Sequence, residues 1–81
     1  MTTTALRAAR TIDARDSLCP GPLLELIRAV RSGAVGDVIA VWSSDPASRS
    51  DIPIWATHAG HRVVGVHRRA DYDEIVIEKR R

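Results

Sequence analysis

The only cysteine of the chain, Cys19, is followed at once by Pro20 and, after Gly21, by Pro22. A residue that precedes proline is pushed out of the α region, and that restriction falls on both Cys19 and Gly21. Cys19 is therefore expected on a stiff, extended stub. Proline is favoured at the first position of a helix, which predicts Pro22 as the first helical residue and Gly21 as the cap. The thiol would then stand just ahead of the positive end of a helix, where the free amides of Leu23 and Leu24 and the helix dipole favour an anion. An unperturbed thiol has a pKa of about 8.5, and each unit of depression, about 1.4 kcal/mol, raises its small thiolate fraction at neutral pH roughly tenfold. Thiolate is the nucleophile. A free cysteine also serves elsewhere as a small buried hydrophobe. Asp16, Ser17 and the double proline favour the reactive role, because reactive thiols need partly exposed, helix-terminal surroundings.

A thiol hydrolase would need a histidine base held by a third group. His58, His61 and His67 qualify by residue type alone. His58 and His61 flank the end of a helix, where the ordinary role is to stabilise the last carbonyls, and His67 falls in a strand beside Arg68. His58-x-x-His61 with Cys19 is a poor metal set, since Gly60 ends the helix between the histidines and a structural zinc needs four ligands. No metal or other cofactor is expected. With no second cysteine, an internal dithiol cycle is excluded. Whatever Cys19 receives must pass to another molecule.

The elements that position the thiol follow from periodicity. Thr11 and Ile12 mark a short strand at Arg10 to Ala14. Leu23, Leu26, Ile27 and Val30 recur at helical spacing, with Glu25, Arg28 and Arg31 opposite, and Ser32-Gly33 stops the helix. Asp37 to Trp42 is an apolar, β-branched run suited to a central strand. Pro46 and Pro53 then punctuate, Ser48 or Ser50 is placed to cap, and Ile52, Trp55, Ala56 and Ala59 share a helical face ended by Gly60. Two strands close the chain: Arg62 to Arg68, with Val64 and Val66 on one face, and Tyr72 to Lys79, with Ile75 and Ile77 on one face. Arg69-Ala70-Asp71 joins them as a hairpin. The order β-α-β-α-β-β predicts an α/β (α+β) two-layer sandwich, a small four-stranded mixed sheet with two helices on one face. Trp42, Trp55 and Tyr72 are expected in core and interface positions.

The 81 residues suffice for one domain, which at this size buries only about 60% of its unfolded surface, so a deep enclosed active site is not expected. A flexible stretch is expected at residues 1–9, with one domain at 10–81. The formal charge of +2 arises from Arg7 and Arg10 near the start and from Arg68, Arg69, Lys79, Arg80 and Arg81 near the end. That is weaker than a nucleic-acid stripe, and direct nucleic-acid binding is not expected. No apolar segment reads as a signal peptide or membrane helix, which predicts a cytoplasmic protein whose thiol stays reduced.

Taken together, "DARDSLCPGPLLEL" and "SDPASRSDIPIWATHAGH" resemble the TusA family of SirA-like sulfur carriers. The hallmark Cys-Pro-x-Pro is matched by Cys19-Pro20-Gly21-Pro22. A second motif is matched by Asp45-Pro46 and Asp51-Ile52-Pro53, and the Gly-His after the helix by Gly60-His61. The resemblance spans roughly residues 10 to 79. It departs at Asp16, where relatives commonly carry glycine; a carboxylate there partly opposes thiolate formation.

The resemblance implies the same element order and a sulfurtransferase function of the carrier kind. Cys19 would accept sulfane sulfur as a persulfide from a donor protein, such as a cysteine desulfurase or rhodanese, and relay it to an acceptor protein. Pro20, Gly21 and Pro22 would present the thiol. The destination would be sulfur oxidation or trafficking, towards which "CPGPLLELI" leans, or tRNA thiolation. The alternative is a non-catalytic interaction or regulatory module whose cysteine is structural.

Overall fold

The computed structural model describes residues 10–18 and 20–81. Along the chain run β1 (Arg10–Asp13), α1 (Gly21–Ser32), β2 (Val38–Ser43), α2 (Ser48–Ala59), β3 (Arg62–Arg68) and β4 (Asp73–Glu78). The four strands form one sheet in the order β1-β2-β4-β3. β1 and β2 are parallel, a pairing that needs a crossover, and α1 supplies it. The pairs β2/β4 and β3/β4 are antiparallel. The expected element order and mixed sheet are thus borne out.

Both helices cover the same face, because their apolar stripes meet the inward residues of the central strands. Leu26, Ala29 and Val30 of α1 and Ile52 and Ala56 of α2 join Ile39, Val41, Ile75 and Ile77 in one buried core. Alternation along β2 and β4 sets those residues inward and leaves Trp42, Glu74 and Val76 on the uncovered face.

Helix ends differ from expectation in ways the chain explains. α1 begins at Gly21, with Pro20 in the capping position, because the Pro20 carbonyl already accepts the amide of Leu24 at 2.9 Å. Pro22 costs nothing as the second residue, since amides of the first turn have no partner within the helix. At the far end, the Lys79 ammonium donates to the carbonyls of Val30 (2.6 Å) and Gly33 (2.8 Å).

Neither Ser48 nor Ser50 caps α2. The Ser48 hydroxyl is buried, and the Ser50 hydroxyl donates to the Ala47 carbonyl at 3.3 Å. Asp45 organises the entry instead: its carboxylate accepts the Ala47 amide (3.0 Å) and its carbonyl accepts the Ser48 amide (3.1 Å). Pro53 lies inside α2 and does not break it; Arg49, whose carbonyl loses that donor, is solvent-exposed. Gly60 ends the helix as predicted, left-handed at φ +87°. The amides of Gly60 and His61 donate to the carbonyls of Thr57 (3.1 Å) and Ala56 (2.8 Å), a Schellman closure.

The face assigned to Val64 and Val66 is corrected by a bulge. Val63 pairs with Ile77 and Val66 with Ile75, while Val64 is the extra residue between them. The bulge shifts the alternation by one, so Val63, not Val64, packs on the core.

Candidate functional site

Parallel neighbours end at the same side of a sheet, so the segments after β1 and β2 emerge together, and ligands of open α/β sheets gather at such ends. Here that end carries the β1–α1 segment, the β2–α2 segment and the β3–β4 hairpin. Asp13, Arg15 and Asp16 from the first, Ser44 from the second and Asp71 from the third line one open polar cavity of about 230 Å³. The N-termini of α1 and α2 both lie at this end, each the positive end of a twelve-residue helix.

Cys19 itself lies outside the described residues; its neighbours in sequence define the site. Ala14 extends the parallel ladder, donating to the Trp42 carbonyl at 2.9 Å. The Ser17 amide then turns back to the Ala14 carbonyl (3.1 Å), and the Gly21 amide donates to the Leu18 carbonyl (2.8 Å). Gly21 is pressed close to this turn: a Cβ there would stand 3.1 Å from the Cβ of Ser17. Pro22 is buried as an anchor of α1, whereas Pro20 is exposed. Leu18 is 80% exposed and Leu24 50%, which leaves apolar surface before α1 and on its first turn.

Arg15 ties this segment to the uncovered face. Its guanidinium grips the Asp13 carboxylate with both ends (Nε to Oδ1 2.8 Å, Nη2 to Oδ2 2.7 Å), while its amide donates to Oδ1 at 3.3 Å. The same guanidinium carbon lies 5.2 Å from the ring centroids of both Trp42 and Tyr72, which are 5.4 Å from each other. The Trp42 indole donates to Glu74 (3.2 Å), and Glu74 in turn accepts from Arg69. Hydrogen bonding to Arg15 lowers the Asp13 pKa and raises that of Arg15. Arg69 does the same for Glu74, aided by the Trp42 indole and opposed by burial.

The second motif divides between two places. Asp45 and Pro46 lead out of the polar end as the entry to α2, adjacent to Ser44 of the cavity. Asp51 sits half-buried in the first turn of α2. Pro53 lines a separate shallow depression of about 270 Å³ with Ile54, Thr57 and His58.

None of the three histidines borders the polar cavity. His61 packs on Trp55 at 5.6 Å and accepts the Arg80 amide at Nδ1 (3.2 Å); its pKa is lowered by burial, then by the charges of Lys79 and Arg81. Its role is to hold the chain after β4. His67 lies opposite Glu74 on the edge strand. Among the described residues, no group of three His, Cys, Asp or Glu is placed to hold a metal ion.

Sequence reasoning missed Arg15. Its only signal is an Asp-x-Arg spacing, and the aromatic partners lie 27 and 57 residues further along the chain.

Comparison with known proteins gives a consistent picture. A sequence model of the family described as Sulfurtransferase TusA matches residues 10–79. A protein of Archaeoglobus fulgidus, provisionally named a sulfur carrier protein, is 48% identical over 68 residues, covering 84% of this chain and 93% of the relative. The sulfur carrier protein TusA of Pseudomonas entomophila is 38% identical over 60 residues, covering 74% of this chain and 75% of the relative. Among solved structures, the SirA-like protein of Desulfitobacterium hafniense shares the fold with a TM-score of 0.77 at 24% identity, over 89% of this chain and 99% of that one. Among the described residues, no helix is long and apolar enough to cross a membrane.

Proposed function

The chain belongs to the TusA family of sulfur carriers, and on that premise we propose that it is a persulfide relay with Cys19 as the sulfur-bearing nucleophile. The Cys19 thiolate attacks the outer sulfur of a donor persulfide. One sulfur–sulfur bond forms as another breaks, the donor leaves as a thiolate, and Cys19 holds the sulfur as a persulfide with no net redox change. An acceptor thiolate then repeats the attack on the outer sulfur of Cys19. The donor's sulfur arrives already activated, so the relay needs no histidine base and no metal.

The observation that supports this reading is the start of α1, where Cys-Pro-x-Pro is met by a helix N-terminus with exposed apolar shoulders at Leu18 and Leu24. A positive helix end favours the thiolate. Exposed apolar side chains beside it suit a group that must meet two different proteins in turn. Pro20 and Gly21 set the approach to the helix and Pro22 anchors it; Asp45 and Pro46 shape the neighbouring entry of α2, with Asp51 and Pro53 following in that helix. Residues 10–81 act as one carrier unit. The partners are a donor protein, of the cysteine desulfurase or rhodanese kind, and an acceptor in sulfur oxidation, trafficking or tRNA thiolation. The setting is the cytoplasm, where the thiol stays reduced.

Intact mass after incubation with a protein persulfide donor tests the proposal. The expected result is a gain of one sulfur, removed by reductant and absent from Cys19→Ser. No gain, together with slow alkylation of the thiol at neutral pH, would replace the relay with an interaction module whose cysteine is structural.

A further inference from the structure

We propose that Arg15 is a positioning residue for sulfur transfer, a latch that fixes the segment between β1 and Cys19 against the uncovered face of the sheet. The proposal rests on the carrier reading above, and it concerns a residue outside both sulfur-carrier motifs.

Register sets Asp13 beside Trp42, Trp42 beside Glu74 and Glu74 beside His67, so these four residues stand abreast across the uncovered face at the polar end of the sheet. Arg15 leaves β1 in the turn that leads to Cys19 and folds back over this row. Its two-ended grip on Asp13 fixes the plane of the guanidinium. With that plane fixed, the cation lies within reach of two aromatic faces at once, one from β2 and one from the β3–β4 hairpin. Trp42 is held from beyond by Glu74, and Glu74 by Arg69 of the hairpin. Three separate stretches of chain are therefore stitched together through one side chain four residues before Cys19.

No core residue takes part in this set of contacts, so its loss does not undo the two-layer packing. It acts on the β1–α1 segment, where among the described residues the backbone amides of Ala14, Ser17 and Gly21 donate to the carbonyls of Trp42, Ala14 and Leu18, and that of Arg15 to the Asp13 carboxylate. An exposed cation–π contact shared between two rings shifts a local opening equilibrium by about three- to tenfold. That is a large effect on a hand-over requiring one approach geometry and a small one on global stability.

Arg15→Ala and Arg15→Lys, compared with the wild type, provide the test. Lysine keeps a cation over the rings but lacks the fork that fits Asp13. Hydrogen exchange at the Ala14 and Ser17 amides is expected to rise about three- to tenfold in Arg15→Ala, with no change at Leu26 to Val30 of α1, and to fall back part of the way in Arg15→Lys. The second-order rate of sulfur passage between proteins is expected to drop by a similar factor in Arg15→Ala, with partial rescue by lysine, while alkylation of Cys19 by a small reagent is not slowed. Unchanged exchange at Ala14 and Ser17, or an increase spread evenly over the whole chain, would overturn the latch. A wild-type protein that takes up no sulfur would defeat the carrier reading, and the exchange data would still decide whether Arg15 holds the segment.

Discussion

The Lys79 ammonium lies 2.6 Å from the carbonyl oxygen of Val30, across 49 positions of sequence, and reaches the Gly33 carbonyl as well. The last carbonyls of an α-helix are short of donors, and here the ammonium just past β4 joins the Gly33 amide (3.3 Å) on the Val30 carbonyl and meets the Gly33 carbonyl just beyond the negative end of α1. The helix that begins at Gly21 is thereby closed by the other end of the chain.

Lys79→Met should keep the aliphatic stem and remove the donor. Charge-assisted hydrogen bonds to partly buried carbonyls suggest a loss of about 1–2 kcal/mol. A thermal melt should then show Tm lowered by about 5–10 °C. An unchanged Tm would mean that water replaces the ammonium at no cost.

Gly60→Ala should destabilise the end of α2. The left-handed φ of +87° is unfavourable for any residue with a Cβ, and a Cβ there would stand 2.6 Å from Cδ of Arg81. The arginine can swing aside; the backbone cannot. Urea unfolding should report a loss of about 1 kcal/mol, and a variant as stable as the wild type would contradict the geometry.

Leu26→Ala should be the most damaging single truncation in α1, because Leu26 is wholly buried against both helices' shared core. Removing its side chain should cost about 3 kcal/mol in urea unfolding. A loss below about 1 kcal/mol would indicate that the core collapses into the space.

Stability should fall as the pH drops below about 6.5, the ordinary value for histidine, through His61. Burial, and then the charges of Lys79 and Arg81, depress its pKa, so the fold favours the neutral ring. Protonation also removes the Nδ1 acceptor for the Arg80 amide. Because the folded pKa lies below the unfolded one, the contribution is fully present above the unfolded value and is lost as the pH falls through the folded one. His61→Gln should flatten the slope of Tm against pH between 7.5 and 5, and an identical slope would assign the pH response to other groups.

Most of the architecture was legible because hydrophobic spacing is a direct record of what each element buries. Leu26, Val30, Ile52 and Ala56 announced two helical faces, and Ile75 and Ile77 an alternating strand. The β3 bulge was not legible: Val63, Val64 and Val66 carry equally apolar side chains, and only pairing with Ile77 and Ile75 decides which of them turn inward. Pro53 read as punctuation because proline lowers the odds of helix at interior positions; packing of Ile52 and Ala56 on either side overrides that preference. At the site, the Cys-Pro-x-Pro run could be read from local chemistry, whereas Asp45 stood out only through the family resemblance, because Ser48 and Ser50 are equally good caps by residue type. The grip of Arg15 on Trp42 and Tyr72 depends on sheet register that no local pattern encodes.

The position of β1 has a mechanical consequence. Among the described residues it is a four-residue edge strand joined to the sheet along one side only, and the polar cavity lies immediately beyond it. Opening free energies vary across a fold, and short edge elements lie at the low end of that range. Peeling β1 from β2 breaks a few ladder bonds and leaves the β2–β4–β3 antiparallel unit intact. That end of the sheet can therefore yield while the remainder keeps its shape, and the contacts of Arg15 with Trp42 and Tyr72 are what oppose the yielding.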